Sequence, residues 1–383
     1  FGQALASVGA LALLGGPGSA RGAAADGADF VPPRYRPGAE GDERDLWSVL
    51  DRSERALAES RFVLGGDLAA WCRDVACRLL PTHCADLRAY VVRSPRVDAG
   101  IAPNGMMRVS TGLLLRCRDE AQLAAIVGHA LGHFLRRHAQ DRWRETRATV
   151  DFGSFFALSL AVEGTDAVEA LGRAPTATAY SFTPAQERDA DVIGLRLMID
   201  AGYDPAAAPE IWEQLVAEAG AAPADGDSML LLANHPGAAA RIPGLRGLAR
   251  AAVGGTRERE RYRARVAPLR PMLLGDELRL HRYDRSLALV DLLAADAPDD
   301  AAVWFARGEI HRLRAGAGDA ARAIAAYDRA LGARGAPPET FRSLGLVRLR
   351  AGARAQARQA FAEYLRRRPD APDRDAVRGL MSP

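Results

Sequence analysis

The sequence predicts an α+β fold that is mostly helical, with a small sheet in the N-terminal core and a module of helical repeats at the C-terminal end. Helical periodicity covers most of the chain, and only two short runs have strand character. Beyond about residue 250, aromatic and glycine positions recur 37 residues apart. At 383 residues the chain has room for two domains, each with a sizeable core. Its 48% hydrophobic and 26% charged content is ordinary for a globular protein. A net charge of +3 is too small to point to nucleic acid or a membrane surface as partner.

Ala4 to Leu14 form an apolar run, followed by Gly15-Gly-Pro-Gly-Ser and Ala20-Arg-Gly-Ala-Ala-Ala. That order is similar to the apolar region and small-residue cleavage site of a secretory signal, with its basic start missing. Residues 1–26 are therefore read as a signal-peptide remnant and the protein as exported; a disordered tail is the alternative. Residues 27–45, with Val31-Pro-Pro-Arg-Tyr-Arg-Pro, read as an extended linker. The run Phe155 to Val162 falls short of the roughly 20 apolar residues that span a bilayer, so no transmembrane span is expected in the mature chain.

Helical patterns cover Glu43 to Glu59 and Asp67 to Leu80. Leu87 to Arg93 and Met106 to Ser110 read as strands, with an Asn104-Gly105 turn between them. Asp119 to His138 reads as a helix, with Asp119 as N-cap and Gln122 three residues on. Another opens at Thr183-Pro184-Ala185-Gln186, with Thr as cap, Pro at the first helical position and Gln reaching back, and it stops at Gly202. Cys77 and Cys84 bracket a turn that can bring them together as a disulfide; buried free thiols are the alternative. The spacing of Cys72, Cys77 and Cys84 is not one that binds zinc.

In the C-terminal part, Trp304 and Phe341, Gly308 and Gly345, and Tyr327 and Tyr364 are corresponding pairs. This is a tetratricopeptide-like signature over 256–375, with a unit slightly longer than the usual ~34 residues. So few repeats cannot bury their faces alone, which predicts that they dock on the core.

The chemistry concentrates at Gly128-His-Ala-Leu-Gly-His133. His129 and His133 stand four apart and share one helix face, where they can grip one metal ion. Gly128 and Gly132 form a stripe beside them, which predicts close backbone approach by another element. Glu187 is the third ligand candidate, and Asp191, one turn later, can accept a hydrogen bond from a ligand His. Two His and one Glu leave a fourth tetrahedral position open, as catalytic zinc sites do. His138 lies five residues beyond His133, off its face on a continuous helix, and reads as a packing residue. Trp212 and Leu215 read as core.

These residues resemble the zinc metallopeptidase family that includes HtpX and the CAAX prenyl proteases, in particular its exported bacterial branch with C-terminal tetratricopeptide repeats. Four motifs carry the resemblance: Asn104-Gly-Met-Met-Arg-Val-Ser-Thr-Gly-Leu-Leu, Gly128-His-Ala-Leu-Gly-His with Arg137-His138, Glu187-Arg-Asp-Ala-Asp191, and Asn234-His235-Pro236 with Arg241-Ile242. The resemblance implies a zincin-like metallopeptidase domain over 46–250 and a periplasmic location. It implies Zn2+ held by His129, His133 and Glu187, with Asp191 in support. His235 would face the metal, stabilising an oxyanion or capping zinc in a resting form. Met106, Met107, Arg108, Val109 and Ser110 would form an edge strand that pairs with an extended polypeptide substrate.

The family's general base would stand at position 130, where this chain has Ala130. A positioned acid–base group is worth ~10²–10⁴ in rate. The expected function is therefore a zinc metalloendopeptidase of the bacterial envelope with activity reduced or lost. The alternative is a pseudoprotease that binds client proteins through the edge strand and the repeats.

Overall fold

The computed structural model describes residues 30–146, 181–221, 229–252 and 254–382. The leader at 1–26 and the apolar run at 155–162 lie outside the described residues. The linker is not free: Val31 is buried in the core and its N–H donates to the Leu135 carbonyl at 2.8 Å.

Helix α1 (Asp42–Ala58) buries Leu46, Trp47 and Leu50 along one face. Strand β1 (Val63–Leu64) leads into α2 (Asp67–Leu79). Cys77 and Cys84 are joined as a disulfide across the 3-10 turn Pro81–His83, while Cys72 and Cys117 are buried free thiols. Three strands follow: β2 (Arg88–Val92), β3 (Ala99–Ile101) and β4 (Met106–Ser110).

The sheet order β1-β2-β4-β3 corrects the reading of Met106 to Ser110 as an edge strand. Strand β4 is interior, parallel to β2 on one side and antiparallel to β3 on the other, with all five residues buried. Both sides of its backbone are already paired, so Met106, Met107, Arg108, Val109 and Ser110 cannot receive a peptide strand. The Asn104-Gly105 turn belongs to the β3–β4 hairpin, not to a β2–β4 one. Gly105 sits there at φ 88, where a Cβ would meet the Asp86 carbonyl at 2.1 Å. The short β3 escapes a sequence reading because Ala-Gly-Ile has little strand propensity and draws its order from β4.

Helix α3 (Thr111–Arg116) is capped by Ser110, whose Oγ accepts from Leu113 N at 3.1 Å. The central element is α4 (Glu120–Leu135), buried along its whole length. Asp119 caps it by accepting from Gln122 N at 2.9 Å, but the Gln122 side chain accepts from Arg118 N instead of closing a capping box. The predicted helix to His138 is two helices: α4 stops at Leu135, Arg137 takes φ 59, and α5 (His138–Thr146) starts afresh.

Helix α6 (Pro184–Asp200) opens on the full Thr183/Gln186 capping box and ends before Gly202 at φ 76. It lies against α4 at backbone distance. A Cβ on Gly132 would sit 2.8 Å from Ala190, and one on Gly194 would sit 2.6 Å from His129 N. The glycine stripe therefore does what the sequence predicts: it lets a second helix approach the His face. Helices α7 (Ala207–Gly220), α8 (Leu230–Asn234) and α9 (Ala238–Arg250) complete the core.

The C-terminal part is helical throughout: α10 (Arg259–Val266), α11 (Arg270–Leu278), α12 (Tyr283–Asp296), α13 (Ala301–Arg314), α14 (Asp319–Gly332), α15 (Glu339–Arg350), α16 (Arg354–Arg367) and α17 (Arg374–Leu380). Helices α13 and α14 pair, as do α15 and α16. Gly308 receives the Tyr327 ring and Gly345 the Phe361 ring, so the second unit uses the aromatic one turn before Tyr364. Apolar packing is continuous from Trp71 and Val109 to Leu273, Leu289 and Trp304, so the module docks on the core. Arg116 bolts the join: it is buried and donates to Glu218 of α7 at 2.6 Å and to Glu277 of α11 at 2.9 Å. Among the described residues, no helix is long and apolar enough to cross a membrane.

Candidate metal centre

Helices α4 and α6 supply the site, and the end of α8 closes it. His129 and His133 project from one face of α4, and Glu187 lies in the first turn of α6, opposite them. His235, the residue after α8, comes in from the third side. One ligand atom from each of these four residues can be chosen so that all lie within 4.8 Å of one another, and all four side chains are buried. His129 Nε2 is 3.1 Å from both His133 Nε2 and His235 Nδ1, and His235 Nδ1 is 3.0 Å from Glu187 Oε1. Atoms bound to one tetrahedral zinc at ~2.0–2.1 Å stand ~3.3 Å apart. Three imidazole nitrogens and a carboxylate oxygen gathered this closely suit a dication that all four can share.

The outer atoms orient the inner ones. Asp191 Oδ1 accepts from His129 Nδ1 at 2.9 Å, which leaves the Nε2 lone pair facing the centre. His133 Nδ1 meets His138 Nδ1 at 3.0 Å. Phe182 stacks on the His133 ring with centroids 3.8 Å apart, and Trp212 lies edge-on to His129 at 5.3 Å. Arg241 of α9 spans both carboxylates, with Nη1 2.5 Å from Asp191 Oδ2 and Nη2 2.9 Å from Glu187 Oε2. The second contact is an ion pair without hydrogen-bond geometry, and Glu187 Oε2 makes no hydrogen bond among the described residues.

Burial lowers the pKa of His129 despite the opposing pull of Asp191. Burial pushes His133 well down, and the neighbouring His129 and His235 add to it. Both imidazoles are thus held neutral, the form that ligates metal. For Glu187, burial pushes the carboxyl up, but His235, His129 and Arg241 outweigh it and the net shift is downward. Asp191 is likewise lowered: burial opposes ionisation, and His129 and Arg241 overcome it.

Residues 67–249 match the model of Peptidase family M48. Peptidases of family M48 use zinc, and the four-residue cluster of this chain can hold one such ion. Among curated relatives, a mitochondrial metalloendopeptidase OMA1 from Schizosaccharomyces pombe is 32% identical over 153 residues, 40% of this chain and 44% of that one. A putative beta-barrel assembly-enhancing protease from Vibrio cholerae is 28% identical over 227 residues, 57% of this chain and 42% of its own length. The beta-barrel assembly-enhancing protease of Escherichia coli is 27% identical over 138 residues, covering 34% and 28%. The chain spans less than half the length of these relatives.

Of the predicted residues, the core brings His129, His133, Glu187, Asp191 and His235 together and leaves Met106 to Ser110 inside the sheet. Ala130 is buried on α4, directly after His129. A sequence reading quotes Arg241 and His138 within motifs and takes Trp212 as core without giving any of the three a part in the site, and it passes over Phe182. Arg241 belongs to the motif Asn234-His-Pro with Arg241-Ile242 that carries the resemblance, in the first turn of α9. Trp212 looks like any core residue until its edge is seen against His129.

Proposed function

We propose that this chain is a zinc-binding M48 protein whose peptidase activity is reduced or lost because Ala130 stands where the general base is needed. The observation that carries the reading is the buried convergence of His129, His133, Glu187 and His235 around one point. A bound zinc supplies Lewis-acid polarisation of a carbonyl and a more acidic water. The chain's own residues hold the ligands neutral or ionised as required, through Asp191, His138 and Arg241. The missing function is proton transfer. The methyl of Ala130 takes no proton, and the adjoining carboxylates are engaged: Glu187 faces the centre, and Asp191 is held by His129 and Arg241.

His235 would serve as a fourth holder of the zinc and so close the site in a resting form. Of the two edge strands, β1 and β3, the latter packs beside α4 and is the one that would receive an extended polypeptide. The C-terminal helix pairs are read as tetratricopeptide-like repeats that engage a protein partner. The relatives that carry the beta-barrel assembly-enhancing name favour an exported protein acting in the bacterial envelope. A second reading, a pseudoprotease that binds client proteins, is favoured by the same observation: the site is complete except for its base.

Zinc content and casein cleavage test this for the native chain and for Ala130→Glu. The native chain is expected to bind one zinc and to cleave ~10²–10⁴-fold more slowly than Ala130→Glu. Zinc binding without any cleavage by Ala130→Glu would favour the client-binding reading. Failure of the native chain to bind zinc would refute the site.

A further inference from the structure

His138 is the residue whose position the sequence least explains. On an unbroken helix it would point away from His133. The chain instead ends α4 at Leu135 and passes Arg137 through φ 59, a left-handed backbone that a non-glycine residue adopts at a cost of about 1 kcal/mol or more. It then restarts as α5 with His138 as the first residue. The break turns the His138 ring back over the end of α4, to 3.0 Å from His133 Nδ1. His138 is buried there. On its other side, His138 Nε2 lies 3.7 Å from Asp189 Oδ2, which Arg136 Nε also faces at 2.9 Å.

We infer that His138 is a positioning residue for metal binding: its Nδ1 accepts the Nδ1–H of His133 and so holds the His133 Nε2 lone pair towards the metal. This rests on the zinc reading of the preceding subsection. The Asp189 carboxylate favours the proton on His138 Nε2, which leaves Nδ1 bare to act as acceptor. The two ligand histidines are then oriented by different means. His129 donates to a carboxylate, Asp191, and His133 donates to an imidazole that a carboxylate orients in turn. Such outer partners fix the ring and its tautomer, and losing one typically costs 10–100-fold in metal affinity. The Arg137 backbone is the price of recruiting a side chain that lies five residues away.

The test uses the full chain stripped of metal and titrated with Zn2+ against a competing chelator, alongside the visible absorption of the Co2+ form. His138→Ala is expected to weaken zinc binding 10–100-fold and to alter the Co2+ bands. His138→Asn places an amide oxygen where Nδ1 stood, and should recover most of the affinity and the native Co2+ spectrum. Asp189→Asn should give a smaller, few-fold loss. Metal-free His138→Ala and His138→Asn should melt together. The inference is overturned if His138→Ala binds zinc like the native chain, or if Ala and Asn lose affinity equally. Failure of the native chain itself to bind zinc would instead bring down the metal site on which the inference stands.

Discussion

Glycine does opposite work in the two halves of this molecule. In the core, Gly128, Gly132 and Gly194 remove side chains so that the backbones of α4 and α6 can touch; a Cβ on Gly194 would meet His129 N at 2.6 Å. In the C-terminal part, Gly308 and Gly345 open a socket for the Tyr327 and Phe361 rings, which a Cβ would meet at 2.3 and 2.5 Å. The first arrangement brings polar side chains from two helices to one point, which large residues at the crossing would prevent. The second is a packing device that repeats along the chain and needs no polar partner. Closeness between backbones builds a site, whereas closeness between a backbone and a ring builds a scaffold.

The largest expected effect breaks the join between the halves. Arg116→Ala leaves Glu218 and Glu277 buried without their cation and should cost about 3–5 kcal/mol, measured by urea unfolding. Next comes the crossing itself. Gly194→Ala pushes a methyl against backbone that cannot yield, and should cost about 3 kcal/mol. It should also weaken zinc binding by forcing Glu187 away from His129 and His133; unchanged zinc affinity would mean that the close approach is not what assembles the ligands. Gly308→Ala meets a ring that can shift, although the Tyr327 hydroxyl is tied to Glu309 at 2.6 Å. A cost of about 1–2 kcal/mol with native zinc affinity is expected there.

The smallest effect is on the pH dependence of stability in the two halves. In the metal-free protein His129 and His133 have folded pKa values below the ordinary 6.5, so the unfolded chain binds more protons. Their contribution to stability is full above about pH 6.5 and is lost as pH falls below it. Asp319 in the C-terminal module is held far below the ordinary 3.8, chiefly by Arg314, with Arg322, Gly316 N and His311 also donating. Its contribution is present above 3.8 and is lost only at lower pH. Urea midpoints for the metal-free chain should therefore decline from about pH 6.5, and Asp319→Asn should steepen that decline slightly, because His311, lowered by burial, loses the opposing pull of Asp319. If zinc is restored, the decline near pH 6.5 should steepen, because protons then compete with the metal for both imidazoles.

Much of the site is legible because it rests on local periodicity. Two His four apart, and Glu187 with Asp191 four apart, must share helix faces whatever surrounds them. Thr183, Pro184 and Gln186 specify where α6 begins, since the orphan N–H groups of a helix start need those groups. The tight Cys77–Cys84 loop and the 37-residue recurrence are short-range patterns of the same sort. Sequence alone thus determined the ligand-bearing faces of α4 and α6, the start of α6, the glycine stripe and the alanine at position 130.

Tertiary structure decided the rest. Only the assembled sheet shows β4 as interior, because strand order depends on pairings between distant segments that no local pattern encodes. Only the left-handed Arg137 brings His138 back to His133, and only the approach of α9 lays Arg241 across Glu187 and Asp191. The α8 end likewise brings His235 to 3.1 Å from His129 and 3.0 Å from Glu187. A helix face is set by the regular rise and turn of one segment, whereas a metal site is set by where several segments meet. That meeting is fixed by packing: the glycines that let α6 reach α4, and the continuous apolar core that holds them there.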